Sequence, residues 1–210
     1  MNLPIIKARR GRPPKVSREN KDTKAELIRS GLEQLTESGF ASSGIDQILK
    51  KVKVPKGSFY HYFASKEAFG HAVIEHYANY FAKKLDACLL DESHSPLARI
   101  SNFVEDAKVG MIRHQFKRGC LVGNLGQEVD LLPESFREEL IGIFNCWQHR
   151  LANCLEAAIV AGEISSAANC ELLAECFWVG WEGAVSRAKL VQDAKPLENY
   201  FNHFISALPR

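Results

Sequence analysis

Residues 43–67 read S-G-I-D-Q-I-L-K-K-V-K-V-P-K-G-S-F-Y-H-Y-F-A-S-K-E. Ser43 and Asp46 stand at capping-box spacing, which predicts a short helix from there through about Val52. Pro55 fits the first turn of the next helix, where its missing N–H has no partner to lose. Ser65 then predicts the cap of a long helix to about Leu89. Within the middle helix, Phe59 and Phe63 are four apart and can face inward together. Lys56, Gly57, Ser58, Tyr60 and His61 are left to face out. An outward face of cations and hydroxyls suits a polyanion, so the stretch reads as a helix-turn-helix whose second helix enters a groove of double-stranded DNA. Lys66, beside the Ser65 cap, adds an expected phosphate contact.

The charge distribution agrees with that reading. Through Lys66 the chain holds 14 Lys/Arg against 6 Asp/Glu, a net of +8; the remainder holds 13 against 19, a net of −6. A basic head on an acidic body is the layout of a phosphate-binding module on a solvated carrier. Upstream, Arg9-Arg10-Gly11-Arg12-Pro13-Pro14-Lys15 resembles the Arg-Gly-Arg-Pro core of AT-hooks, and Arg10 and Arg12 are expected in a narrow minor groove. Residues 1–20 read as a flexible basic arm, 21–66 as the helix-turn-helix domain and 67–210 as a helical sensing and dimerisation domain.

No run of alternating β-branched residues bounded by turns occurs, so an all-α fold of about nine helices is expected. Thr23 and Glu26 form a capping-box pattern opening a helix whose Ala25, Ile28, Leu32 and Leu35 share a face, with Gly39 ending it. Further helices are predicted from Ser95-Pro96 to about residue 115 or 116, from Pro133 to about Ala161, over 170–191 and over 196–207, with an imperfect helix across 119–129. The longest stretch without a charge, residues 199–209, is too short to span a membrane. Six cysteines without metal-ligand spacing, and no signal peptide, point to a reduced cytoplasmic protein with no metal and no cofactor. The enzyme signatures G-x-S-x-G, P-loop and H-E-x-x-H are absent. The alternatives to a DNA-binding regulator are a helical protein-interaction adaptor or, less favoured, a small-molecule-modifying enzyme; a gel shift separates them.

Residues 23–70 resemble the TetR family of transcriptional regulators, through the signature V-P-K-G-S-F-Y-H-Y-F-A-S-K-E. The resemblance implies a ligand-released repressor that binds a palindromic operator as a homodimer. It implies DNA contacts at Lys56, Ser58, Tyr60, His61 and Lys66, and a phosphate contact at Ser42 or Ser43. One departure is Lys53, where many members carry glycine; a left-handed backbone there costs a non-glycine residue about 1 kcal/mol. The dimer seam is expected on the last two helices, with Gly180 and Gly183 for close approach and Phe201, Phe204, Ile205 and Leu208 for apolar area. An intramolecular core is the competing assignment of those residues.

Two segments of the body look like a small-molecule site. Residues 118–128 mix Gly119, Gly123 and Gly126 with Asn124, Gln127 and Glu128, and on a later helix Trp178, Glu182, Val185 and Lys189 share one face. Cys120, Asn124, Trp147, Trp178, Trp181, Glu182 and Lys189 are the expected inducer contacts. The segments resemble the acrylate-responsive, AcuR-type branch of the family and its electrophile-responsive repressors. That implies a small unsaturated acid or a thiol-reactive compound as inducer, with Cys120 as the reactive thiol activated by Arg118 or Lys189. The helix from Lys66 to Leu89 is then expected to tilt the two DNA heads apart.

Overall fold

The computed structural model describes residues 20–210, and among these nine helices follow one another with no strand. They are α1 (Asn20–Ser38), α2 (Ile45–Val52), α3 (Lys56–Tyr62), α4 (Lys66–Leu89), α5 (Pro96–Arg113), α6 (Leu121–Gln127), α7 (Glu134–Val160), α8 (Cys170–Val191) and α9 (Lys195–Ala207). Arg10 and Arg12 lie outside the described residues.

The head is α1 to α3, closed over the start of α4. Leu27, Leu35, Ile48, Leu49, Phe59, Phe63 and Phe69 are buried in one cluster, each worth roughly 1.5–3 kcal/mol of transfer from water. Two capping expectations fail here. α1 begins at Asn20, so Thr23 lies inside the helix; Ala25 is exposed and Leu27 takes the core position instead. The cap of α2 is Gly44, because Ser43 turns its hydroxyl back to the Gly39 carbonyl. Gly39 ends α1 at φ +80°, a backbone only glycine adopts freely. Lys53 takes the left-handed C-cap of α2 at φ 54°, ψ 38°, so the lysine accepts the strain that glycine would avoid. Ser65 caps α4 as its position promised, its hydroxyl accepting from the Ala68 N–H at 3.0 Å.

The body packs α4, α5, α7 and α8 around an aromatic centre. Trp147 and Trp178 lie 5.1 Å apart between ring centroids, flanked by Phe81 and Phe103. α5 stops at Arg113 because Gln115 and Phe116 both turn left-handed, with the Phe116 N–H reaching back to the Met111 carbonyl at 2.8 Å. α9 folds back on α8. A Cβ on Gly180 would collide with the Tyr200 ring, whose hydroxyl donates to the carbonyls of Cys176 and Phe177 at 2.9 and 2.8 Å.

That packing corrects the expected seam. Gly180, Phe204 and Leu208 are spent within the chain, and Phe201 and Ile205 are half-covered. The face left open is on α8, where Leu172, Cys176, Val179, Gly183 and Leu190 recur at helical spacing and stand exposed. Val179 is 72% exposed, and a Cβ on Gly183 would meet nothing within the chain. Among the described residues no helix is long and apolar enough to cross a membrane.

Candidate nucleic-acid interface and effector cavity

α3 presents the groups its sequence promised. Phe59 is fully buried and Phe63 nearly so, which fixes the helix with Lys56, Gly57, Tyr60 and His61 exposed and Ser58 half-exposed. Tyr60 is 51% exposed, its ring standing edge-on to Phe59 at 5.3 Å. Lys56 pairs with Asp46 at 3.1 Å, an exposed contact that a phosphate can displace at little cost. A Cβ on Gly57 would meet nothing, so no internal packing requires glycine there and its bare backbone is left for an outside surface. Lys50, Lys51 and Lys53 add exposed cations on and beside α2 that the motif reading did not single out.

Two expected phosphate contacts are corrected. Ser43 is 1% exposed and committed to Gly39, whereas Ser42 is exposed. Lys66 is half-buried: its ammonium donates to the Phe40 carbonyl at 2.7 Å and sits 4.4 Å from the centre of the Phe40 ring. Burial pulls this ammonium below its ordinary range, partly offset by the Glu128 carboxylate. Lys66 therefore ties the α1–α2 corner to α4.

A cavity of about 730 Å³ opens between α1, α4, α5, the α5–α6 connection and α8. Of the seven residues expected there, Cys120, Trp181 and Glu182 line it. Trp147 and Trp178 are instead in the aromatic core. Asn124 donates to the Thr36 carbonyl at 2.9 Å, and Lys189 donates to the carbonyls of Thr36 at 3.0 Å and Glu37 at 3.4 Å. Both serve as borrowed caps for the last turn of α1, whose carbonyls have no partner in their own helix. Tyr77, Phe81, Lys83, Lys84 and Arg113 line the cavity without having been anticipated. Only the packing of α4 against α5 brings them to one wall.

The inner end of the cavity is a linked group of Tyr77, Cys120 and Glu182. The Cys120 sulfur caps α6 by accepting from the Gly123 N–H at 3.3 Å, and Gly123 lacks a side chain where the Glu182 carboxyl needs the space. Burial pushes the Glu182 carboxyl up to about 7, a rise opposed by its hydrogen bond with Cys120. Burial, then Glu182, hold the Cys120 thiol well above its usual range, and burial does the same to Tyr77. The expected cation-activated thiolate is thus corrected. Arg118 is taken by Glu33 at 3.4 Å and Glu37 at 3.1 Å, and Lys189 by α1.

α6 joins the cavity to the head. Cys120 stands at its start, and Glu128 at its end accepts from the N–H groups of Phe40 at 3.1 Å and Ala41 at 2.9 Å. With Asn124, Arg118 and Lys189, the body holds the end of α1 and the α1–α2 corner at four side chains.

An outward recognition helix on a helical body with an internal cavity defines a one-component transcription regulator. Residues 27–73 match the family described as bacterial regulatory proteins, tetR family, and residues 96–204 match the tetracyclin repressor-like C-terminal domain. The transcriptional regulator AcuR of Cereibacter sphaeroides is 51% identical over 201 residues, covering 94% of this chain and 90% of that protein. The transcriptional repressor NemR of Escherichia coli is 33% identical, covering 87% of this chain and 92% of that one. The crystal structure of regulatory protein TetR from Rhodobacter sphaeroides superposes with a TM-score of 0.86 at 52% identity, over 88% of this chain and 97% of that chain. The chain belongs to the TetR family of DNA-binding transcriptional regulators.

Proposed function

We propose that the protein is a repressor that holds a palindromic operator as a two-fold dimer in the cytoplasm and releases it when a small molecule occupies the cavity. The observation that carries this reading is the double attachment of α6. Its N-cap Cys120 lines the cavity, and Asn124 on the helix and its C-cap Glu128 grip the DNA head. An occupant that displaces Cys120 or Glu182 moves α6, loosens the α1–α2 corner and lets α4 reorient the head. Two heads that must fit half-sites about 34–36 Å apart then no longer match successive major grooves. Lys56, Gly57, Ser58, Tyr60, His61 and Ser42 are the surface offered to DNA, and the exposed face of α8 is the surface offered to a second copy.

The test is selection from randomised duplexes, followed by anisotropy titration of the recovered site. A palindrome should be enriched, affinity should fall steeply with salt, and Tyr60→Ala should weaken binding by about 1–3 kcal/mol. Recovery of no palindrome refutes the reading.

A second reading follows from the shared place of Cys120 and Glu182 on the cavity wall. In that reading the Glu182 carboxylate takes the thiol proton as Sγ bonds to the β-carbon of an α,β-unsaturated carbonyl compound. The alkene electron pair moves to the α-carbon, which recovers the proton from Glu182. Cys120→Ser should then keep operator binding and lose release by an electrophile; unchanged release excludes the covalent route.

A further inference from the structure

Away from the cavity, a chain of four side chains fastens the start of α4 to the start of α7. Glu139 Oε2 lies 2.5 Å from His71 Nδ1, His71 Nε2 lies 3.0 Å from Ser135 Oγ, and the Ser135 hydroxyl donates to Glu67 Oε1 at 2.6 Å. The His71 ring stands edge-on to Phe136 at 4.6 Å, and Phe136 meets Phe40 of the α1–α2 corner at 5.0 Å. A Cβ on Gly70 would collide with both of those phenylalanines. Three parts of the chain therefore meet at one point: α4 where it leaves the recognition helix, the α1–α2 corner, and α7 of the body.

The hydrogen bonds fix the protonation that this chain of contacts requires. A serine hydroxyl has a single proton, and Ser135 gives it to the Glu67 carboxylate. The serine oxygen is then an acceptor toward His71, so Nε2 must carry a proton. The Glu139 carboxylate accepts only, so Nδ1 must carry one as well. With both nitrogens protonated the ring is a cation, and all three links are made. A neutral ring has one proton to give and breaks one of its two links. Ser135, His71 and Glu139 have the contacts of a hydrolytic triad, but the serine proton points away from the histidine, and none of the three lines the cavity.

The other charged groups around His71 stand in water or have partners elsewhere. Glu67 and Glu75, one turn before and after it on α4, are exposed, as are Glu134, Arg137 and Glu138 beside Glu139 on α7. Beyond Phe136, Lys66 is held by the Phe40 carbonyl, and Glu128 by the N–H groups of Phe40 and Ala41.

We propose that His71 is a positioning residue for operator binding: doubly protonated, it clasps α4 to α7 and fixes the pose of the DNA head, and loss of one proton as pH rises opens the clasp. Histidine is the side chain that ordinarily changes charge between about pH 5 and 8. The clasp is complete at the acid end of that range and open at the alkaline end. Heads held in one pose meet two half-sites with less ordering to lose, so operator affinity falls as the clasp opens. This rests on reading α3 as the helix that enters the operator and is independent of what fills the cavity.

The test is operator affinity by anisotropy from about pH 6 to about pH 8.5, at constant ionic strength, for wild type, His71→Gln and Glu139→Gln. His61 on the DNA face titrates too, and the comparison with His71→Gln removes its contribution. Wild type is expected to lose about threefold more affinity across the range than His71→Gln, the size of a partly exposed ion pair. Glu139→Gln should move the wild-type transition to lower pH, because the charge that favours the cationic ring is gone; a packing role alone would not move it. In the free wild-type protein, two ring N–H proton signals from His71 are expected by NMR at about pH 6 and one at about pH 8.5. Parallel pH profiles for wild type and His71→Gln, a larger loss in that variant, or a transition unmoved by Glu139→Gln would overturn the proposal. A single ring N–H signal at about pH 6 would overturn it whether or not the variants fold. Failure to recover any operator sinks the regulator reading instead, and the ring signals then decide the clasp alone.

Discussion

Substituting Glu128 probes the link between body and head directly. Its carboxylate accepts from two backbone N–H groups, Phe40 at 3.1 Å and Ala41 at 2.9 Å, and it wraps against Gly39, where a Cβ would collide with it. In Glu128→Ala the Ala41 N–H is exposed and can turn to water, costing about 1 kcal/mol or less. The Phe40 N–H is partly buried and loses a charged acceptor, costing about 1.5–3 kcal/mol. Together the loss is about 2–4 kcal/mol, which at this chain length lowers Tm by roughly 5–12 °C. Glu128→Gln keeps one acceptor oxygen without the charge and should cost about half as much. The assay is thermal unfolding together with amide hydrogen exchange at Phe40 and Ala41, and operator release as a function of effector. Exchange at those two amides should accelerate first, and release should become less sensitive to effector as the head uncouples from α6. A Tm within about 1 °C of wild type, with Phe40 and Ala41 still protected, would refute the argument that α6 holds the corner.

Other outcomes follow from single features. Lys53→Gly removes a left-handed lysine and should stabilise the head by about 1 kcal/mol, read as a higher denaturant midpoint with unchanged slope. Glu182, raised to about 7 in the folded chain, binds its proton more tightly there than when unfolded. Its contribution is therefore fully present below about pH 4.5 and is lost as pH rises through about 7, a change of up to about 3 kcal/mol. Relative to Glu182→Gln, the wild type should lose stability across that window, and parallel pH profiles would contradict the assignment. Val179→Glu places a charge on the exposed stripe of α8 and should give a monomer by sedimentation while the helical signal is retained.

The chain order of helices, the inward Phe59 and Phe63 and the outward Lys56, Tyr60 and His61 were legible in the sequence. Each depends on spacing along one helix or on a local boundary such as the Gly39 stop or the Ser65 cap. The arrested capping of Ser43 was not legible, because Gly39 in its left-handed turn offers the same hydroxyl a carbonyl to donate to. Nor was the division of the candidate sensor residues. Trp178 and Trp181 are three apart on α8, yet Trp178 enters the aromatic core and Trp181 lines the cavity. Asn124 and Lys189 are polar residues near the cavity whose partners are carbonyls of α1, in a remote part of the sequence. Periodicity tells which side of a helix is covered. Which neighbour covers it, and whether a gap remains between them, depends on how helices far apart in the chain pack together, and that only the tertiary structure decided.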